Sequence, residues 1–212
     1  DVSLPEIAEY LKHKSTSNYK NLLTRRANIL DQILSDLQKM RNELSERICF
    51  LENTETFPLE IITLINEEED YLCLSDPVPQ NADLKIRTKI SAKHLLTLSD
   101  YITFNNHVSG YILDKNSFLA CERPYTKYFY QSFTQPFDSP YFFLKPAGLY
   151  ATIYFKGIYC SYGKPYIDQL YRYLQENNLQ AVSDIYMTSI RNHWVTDDNG
   201  SYLNKLSIQV KK

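Results

Sequence analysis

The sequence lacks the features by which a membrane protein or a common type of enzyme is recognised. None of its apolar runs approaches the ~18 residues that a membrane-spanning helix needs. It has no glycine-rich phosphate loop of the GxxxxGK[ST] or GxGxxG type, no GxSxG nucleophile motif and no HExxH zinc motif. Glycine is scarce, with five residues. These absences do not exclude an enzyme, but no standard catalytic machinery is visible in the sequence, and we expect neither enzymatic activity nor a cofactor.

Cysteine and histidine are present, but their spacing does not fit a metal site. The four cysteines include no CxxC pair, which argues against a zinc site and against a disulfide framework. The four histidines are equally dispersed. We therefore expect no bound metal and free thiols, as in the reducing cytoplasm. The residues concerned are Cys49, Cys73, Cys121, Cys160, His13, His94, His107 and His193.

The chain also has little net charge. Its 23 lysines and arginines nearly balance 25 aspartates and glutamates, which gives a formal net charge of -2. Such a chain is not, by itself, an electrostatic nucleic-acid binder. Its 212 residues, of which 43% are hydrophobic and 23% charged, suit a folded protein of one or two domains. Because the chain starts at Asp1 without a methionine or a signal peptide, we expect a fragment or a processed product.

Leucines at heptad spacing predict a long N-terminal helix. After a short apolar stripe near the start, residues 19–51 contain no glycine or proline. Leucine recurs there every seven residues, and a second apolar series, interrupted at Arg41, follows four residues later. This pattern is typical of a coiled coil and predicts a homodimer, although a helix packed on its own domain has the same periodicity. The predicted dimerisation residues are Leu23, Leu30, Leu34, Leu37, Leu44, Ile48 and Leu51.

The region after Pro58 predicts an α+β domain with an internal repeat. Short β-like runs alternate with two helical segments, predicted at 91–104 and 165–177. A strand–helix–strand–strand order occurs over 71–133 and again over 149–210, which typically places helices on one face of a sheet. It also predicts a cleft near the local two-fold axis. The acidic run 67–70, between the first two predicted strands, predicts a solvated hairpin turn.

Tyrosine dominates the aromatic residues. The chain has 18 tyrosines, 10 phenylalanines and one tryptophan, which together make up 14% of its residues. Tyrosine combines an apolar ring with a polar tip, so that a tyrosine-rich interior can face a ligand as well as form a core. Strand alternation places Tyr150 and Tyr154 on one face of a predicted strand, and Ile153 and Phe155 on the other. For most of the tyrosines we expect an ordinary core position.

One carboxylate lies inside a predicted strand. Asp184 interrupts the apolar run 181–187 and shares a strand face with Val182 and Tyr186. A buried carboxylate is costly unless it is paired or hydrogen-bonded. Tyrosine hydroxyls and a cationic ligand could meet that need. An ordinary exposed acid on a solvent-facing strand fits the spacing equally well.

Two parts of the chain resemble segments of MerR-type transcription regulators. Ser3–Leu11 (SLPEIAEYL) resembles the helix that precedes the linker in those regulators, where a long dimerisation helix follows. The rest of the chain resembles the GyrI-like effector-binding domain of BmrR-type multidrug-responsive regulators. The segments that carry this second resemblance are Pro146–Ala151, Phe155–Tyr159, Asp184–Tyr186 and Tyr202–Val210.

The resemblance implies an organisation in three parts. Residues 1–13 would end a DNA-binding domain, residues 14–53 would form the dimerisation coiled coil, and residues 54–212 would form a GyrI-like antiparallel-sheet domain of two strand–helix–strand–strand repeats. The chain would then bind small aromatic or lipophilic effectors, among them drugs, as a homodimer in the cytoplasm. It would transmit binding to promoter DNA through an N-terminal DNA-binding domain that this sequence lacks.

The resemblance also implies a ligand site. BmrR-like domains hold lipophilic cations with a buried acid among aromatic residues, and Asp184 falls at that acidic position. The family usually has glutamate there, and often an acid where this chain has Lys205, so a neutral or anionic ligand is also compatible. The predicted ligand-binding residues are Asp184, Tyr186, Tyr202, Tyr159, Phe155 and Tyr111.

Two other functions stay open from the sequence. Relatives of this fold resemble small-molecule hydrolases, which use an acid and a tyrosine in the same cleft. Turnover that is lost in Asp184→Asn would favour that reaction. A coiled-coil adaptor without any ligand is the third interpretation, and failure to bind any of a panel of lipophilic cations would favour it.

Overall fold

A computed structural model of the chain describes residues 4–98, 108–133, 135–193 and 195–212. The chain divides into two compact units, Asp1–Glu55 and Thr56–Lys212. The first unit contains the long predicted helix, and the second contains all the strands of the sheet.

The N-terminal unit consists of two helices, α1 (Leu4–Lys12) and α2 (Thr16–Asn53). Helix α2 begins where the Ser15 side chain accepts a hydrogen bond from the Asn18 amide at 3.0 Å, a typical N-cap. Its 38 residues extend over about 57 Å. Six of the seven predicted dimerisation residues are exposed on the single chain, and Leu51 is half-buried.

The C-terminal unit is α+β, as predicted, and contains one eight-stranded sheet. All neighbouring strands are antiparallel, in the order β1-β6-β8-β7-β3-β4-β2-β5. Its strands are β1 (Thr63–Glu67), β2 (Asp70–Leu74), β3 (Ser109–Leu113), β4 (Thr126–Phe133), β5 (Phe142–Lys145), β6 (Gly148–Lys156), β7 (Gln180–Arg191) and β8 (Leu203–Lys211). Its helices are α3 (Leu84–Leu98), α4 (Lys115–Leu119) and α5 (Tyr159–Glu176).

The predicted internal repeat is confirmed by the strand order. The first repeat is β2-α3-β3-β4 and the second is β6-α5-β7-β8, with the short helix α4 inserted in the first. Each repeat places its last strand in the middle, as β2-β4-β3 and as β6-β8-β7. The repeats join where β3 pairs with β7, so one continuous sheet contains both.

The strands that precede the two repeats are exchanged between them, and this exchange curls the sheet. Strand β1 leads into β2 but pairs with β6, while β5 leads into β6 but pairs with β2. In a flat sheet β1 and β2 would lie about 29 Å apart, six strand spacings. The three residue steps from Glu67 to Asp70 reach at most about 11 Å. The two edges of the sheet must therefore approach each other.

The prediction of a hairpin turn at 67–70 is wrong for this reason. Glu68 and Glu69 are exposed, but the strands that they connect do not pair with each other. Glu67 ends β1, and its side chain, at the meeting edges of the sheet, is only 10% exposed. The sequence pattern predicted the position of the acidic connection correctly, but it did not predict that the Glu67 carboxylate is buried within the domain.

Two helices begin earlier than predicted. Helix α3 starts after Asp83, whose side chain accepts a hydrogen bond from the Ile86 amide at 2.8 Å and so acts as an N-cap eight residues before the predicted start of the helix at 91. The predicted residues 99–104 of this helix lie outside the described part of the chain. Helix α5 starts six residues before Pro165, which lies inside it.

The two faces of the sheet differ in what covers them. On the helix face, side chains of β6, β7 and β8 pack against α5 in a large apolar core that includes Phe155, Ile185 and Leu170. On the opposite face, called here the tyrosine face, a smaller cluster joins five buried residues, each from a different strand. These are Leu72, Ile112, Tyr130, Tyr150 and Tyr186.

Candidate ligand-binding cleft

An aromatic cleft of about 290 Å³ opens on the helix face, between α3 and the beginning of α5. Its floor comes from β3, β4 and β7, so it lies at the junction of the two repeats, where the internal repeat predicted a cleft. Its size lies near the lower end of the range for small-molecule sites. The lining residues that matter most below are His94, Tyr111, Phe129, Tyr159, Ser189 and Tyr202.

Three aromatic rings form one wall of this cleft. Tyr111 packs edge-on against Phe129, with ring centroids 5.6 Å apart, and lies 6.2 Å from Tyr159. Burial raises the pKa of both tyrosines, so their hydroxyls stay protonated at neutral pH and can donate hydrogen bonds. The wall therefore offers flat apolar surface together with neutral polar tips.

His94 is the polar residue of the cleft with unused bonding capacity. It lies on α3, is 7% exposed, and neither of its ring nitrogens has a hydrogen-bond partner among the described residues. Burial lowers the pKa of the imidazole to about 4, so the ring is neutral near pH 7 and has one donor and one acceptor. A buried polar group without a partner costs stability, so such groups are uncommon in folded proteins.

A glycine in β3, Gly110, leaves room for a tyrosine side chain to cross the strand next to the cleft. A Cβ atom on Gly110 would lie 2.1 Å from the Met187 carbonyl oxygen and 2.6 Å from the Tyr130 ring. Tyr130, Gly110 and Thr188 are aligned across β4, β3 and β7. The Tyr130 side chain passes over the glycine and its hydroxyl bonds that of Thr188 at 2.6 Å. Only glycine leaves room for this crossing.

The tyrosine face contains a buried ion cluster. Lys145 Nζ lies 2.5 Å from Glu67 Oε2, and Lys205 Nζ lies 2.7 Å from Glu67 Oε1. The same Lys145 ammonium lies 4.6 Å from the ring centroid of Tyr150 and 5.1 Å from that of Tyr186, within the range of cation–π attraction. Burial raises the pKa of Glu67, but the two lysines outweigh it and lower the pKa overall. This cluster joins the two edges of the sheet.

Asp184 has partners of its own on the tyrosine face. Its Oδ1 accepts a hydrogen bond, 2.9 Å long, from the backbone amide of Lys115, which is the first residue of α4. Its Oδ2 lies 2.8 Å from Lys127 Nζ. Lys127 also lies 3.8 Å from Asp114, the N-cap of α4. The carboxylate thus fixes a short helix to β4 and β7, and it does not line the cleft.

The structure separates the six predicted ligand-binding residues into three places. Tyr111, Tyr159 and Tyr202 line the cleft. Phe155 is buried in the helix-face core, stacked on Tyr166 at 4.5 Å. The remaining two, Asp184 and Tyr186, face the other side of the sheet, and the role of Asp184 as a ligand anchor stays a prediction.

Sequence reasoning missed three residues that the structure makes prominent: His94, Glu67 and Lys145. Nothing near His94 in the sequence distinguishes it from a surface histidine of an amphipathic helix. Glu67 is the first of four consecutive acids, and nothing in the sequence distinguishes it from the other three. Only its burial in the folded domain does so. The buried lysine at 145 had no sequence signal beyond its place before Pro146.

Other site types find no support in the described ranges. They contain no group of three or more histidine, cysteine or acidic residues that could hold a metal ion. In the same ranges, no helix is long and apolar enough to cross a membrane. All four cysteines are free.

The fold defines a class: a long helix followed by a two-repeat α+β domain with a cleft between the repeats. No protein-family model and no curated protein matches the sequence. Among solved structures, EcmrR in its complex with DNA matches 100% of this chain and 78% of its own, with a TM-score of 0.56 and 15% identity. The EcmrR C-terminal domain matches 72% of this chain and 98% of its own, with a TM-score of 0.54 and 15% identity. The chain therefore shares its fold with EcmrR.

A hydrolase from Listeria innocua is a more distant match. Its TM-score is 0.43 at 9% identity, over 76% of this chain and 96% of its own. A likeness at this level does not support an argument about a reaction.

Proposed function

We propose that this chain is the ligand-sensing and dimerising part of a MerR-type transcription regulator, and that its ligand binds in the cleft. The observation that carries the proposal is the cleft itself, whose lining includes three of the residues predicted for ligand binding, Tyr111, Tyr159 and Tyr202. The sequence resemblance to MerR-type regulators and the fold shared with EcmrR, a protein solved in complex with DNA, support the wider context. Flat aromatic walls suit a range of flat apolar ligands, drugs among them.

Dimerisation through α2 follows from its uncovered leucines. A heptad series of exposed apolar side chains on one chain is what a coiled coil buries against a second copy. Each leucine that is buried contributes about 1.5–3 kcal/mol. The homodimer would carry an upstream DNA-binding domain on each helix and would act on promoter DNA in the cytoplasm. Ligand binding would then shift the balance between two arrangements of the helices.

Dimerisation is tested by measuring mass in solution. We expect the full chain to be a dimer in light scattering coupled to size exclusion, and Leu37→Lys to shift it toward monomer because a charge enters the seam. Gln38→Lys, one residue along the same helix, is the matched control and is expected to stay dimeric. A wild-type chain that is monomeric at micromolar concentration would refute this part of the proposal.

Ligand binding is tested by titrating the full chain with a panel of flat aromatic compounds, neutral and charged, and following tyrosine fluorescence. We expect saturable binding of at least one compound, and its loss in Tyr111→Ala, because Tyr111 is the middle ring of the wall. Tyr128→Ala, on the opposite face of the sheet, is the control that keeps binding. Consumption of the compound, detected by mass spectrometry, would instead favour the hydrolase alternative.

A further inference from the structure

We infer that the cleft selects a planar aromatic compound that carries no positive charge and forms a hydrogen bond with His94. The inference rests on the proposed function, since it specifies the ligand of the same cleft. It departs from the expectation of a lipophilic cation, and the reasons are the charges around the cleft and the unused bonding capacity inside it.

The charges around the cleft are unfavourable for a cation. None of its described lining residues is an aspartate or a glutamate. Two guanidinium groups, Arg87 and Arg123, act electrostatically on Tyr159, and Arg123 donates a hydrogen bond to the carbonyl oxygen of Cys160 in the lining. A cation that entered here would lose its hydration and meet positive charge, without any described carboxylate to pair with.

The acids that could attract a cation already have partners elsewhere. Glu67 is paired with Lys145 and Lys205, and Lys145 lies against the rings of Tyr150 and Tyr186. This arrangement of a carboxylate and aromatic rings around an ammonium is chemically a cation site, and the ammonium in it belongs to the protein. Asp184 is likewise paired, with Lys127. At either of these two acids, a cationic ligand would therefore have to compete with a lysine of the protein.

His94 supplies the specific contact. Its nitrogens have no partner among the described residues and are buried away from water. A ligand that bonds one of them removes the cost of an unsatisfied buried group, and the inference requires that the imidazole, which is part of the lining, turn one nitrogen toward the cleft. A neutral imidazole accepts as well as donates, so a ligand with an N–H or O–H group next to an aromatic ring satisfies it.

The test compares two probes of matched size on the full chain at pH 7.5: acridone, which is neutral and has an N–H and a carbonyl group, and the 10-methylacridinium cation. We expect acridone to bind at least about tenfold more tightly by calorimetry, roughly what one hydrogen bond to a buried group is worth. His94→Phe is expected to weaken acridone binding about tenfold and so to reduce this preference, while His13→Phe, in the N-terminal unit, leaves both unchanged.

A second measurement separates a binding role from a structural one. Because His94→Phe removes a buried polar group that has no partner in the described part of the chain, we expect its midpoint of thermal unfolding to be equal to or higher than that of the wild type, while acridone affinity falls. Tighter binding of 10-methylacridinium, or acridone binding unaffected by His94→Phe, would overturn the inference and leave the proposed function standing. Binding of another compound of the panel but of neither probe would do the same. If no compound binds at all, the proposed function itself fails.

Discussion

Three buried titratable residues, Glu67 and Lys145 on one face of the sheet and His94 on the other, differ in whether they have partners. On the tyrosine face the buried ions Glu67 and Lys145 contact each other, and Glu67 is also bonded by Lys205. In the cleft on the helix face, His94 is just as buried but has no partner among the described residues. Satisfied polar groups stabilise a fold, whereas an unsatisfied one gains from a bound ligand, so this difference is what we expect if the helix-face cleft is the ligand site that we propose.

Removing one charge from the tyrosine face should have the largest effect. Glu67→Gln leaves Lys145 buried without its carboxylate, and we expect the free energy of unfolding to fall by about 3–5 kcal/mol, measured by urea denaturation. Glu68→Gln, the exposed neighbour, is the matched control and should change stability by less than about 0.5 kcal/mol. Equal effects of the two variants would show that the ion cluster does not stabilise the domain.

Acidification should lower the stability of the protein through His94, which has no hydrogen-bond partner among the described residues of the cleft. The folded pKa of His94, about 4, lies below its ordinary value of 6.5, so the unfolded chain binds more protons between these values. Stability due to this residue is thus complete above pH 6.5 and is lost as the pH falls toward 4. We expect the wild type to lose up to about 3 kcal/mol more than His94→Phe over this interval, in denaturation curves at several pH values.

The histidine control for this experiment lies outside the domain. His13→Phe should follow the wild-type curve, because His13 is exposed in the N-terminal unit. Parallel curves for the wild type and His94→Phe would mean that the His94 imidazole is as easily protonated in the folded protein as in the unfolded one.

The smallest effect on stability is expected at Asp184, whose substitution also tests on which face of the sheet the ligand binds. Asp184→Asn keeps an oxygen that can accept from the Lys115 amide but loses the charge that pairs with Lys127, a partly exposed contact worth about 1 kcal/mol. Acridone affinity should not change, because Asp184 is not in the lining of the cleft. A loss of affinity in this variant would restore Asp184 as the ligand anchor and place the ligand on the tyrosine face.

Much of the fold could be predicted from periodicity alone. The heptad leucines predicted α2 to within three residues at either end, and alternation assigned Tyr150 and Phe155 to different faces of β6. The repeat was visible because each copy has the same order of strand and helix. The start of α3 was missed because Asp83 is both a loop residue and a helix cap, and only the hydrogen bond to Ile86 decides between them.

The candidate site could be predicted only in part. Tyr111, Tyr159 and Tyr202 were among the predicted ligand-binding residues and line one cleft, although they lie far apart in the sequence. Asp184 shares its strand with Met187, yet alternation turns one to the tyrosine face and the other to the cleft. A list of residues from one strand therefore could not say which members would face the same ligand.

Local periodicity was enough to predict the secondary structure, which is a leucine-lined helix and two copies of strand–helix–strand–strand. Composition alone showed the excess of tyrosine. Such periodicity is fixed by nearby residues. Three features became visible only in the folded domain: the exchange of β1 and β5 between the repeats, the pairing of Glu67 with Lys145, and the burial of His94 without a hydrogen-bond partner among the described residues. These properties depend on which distant segments come together and exclude water, and no local pattern encodes that.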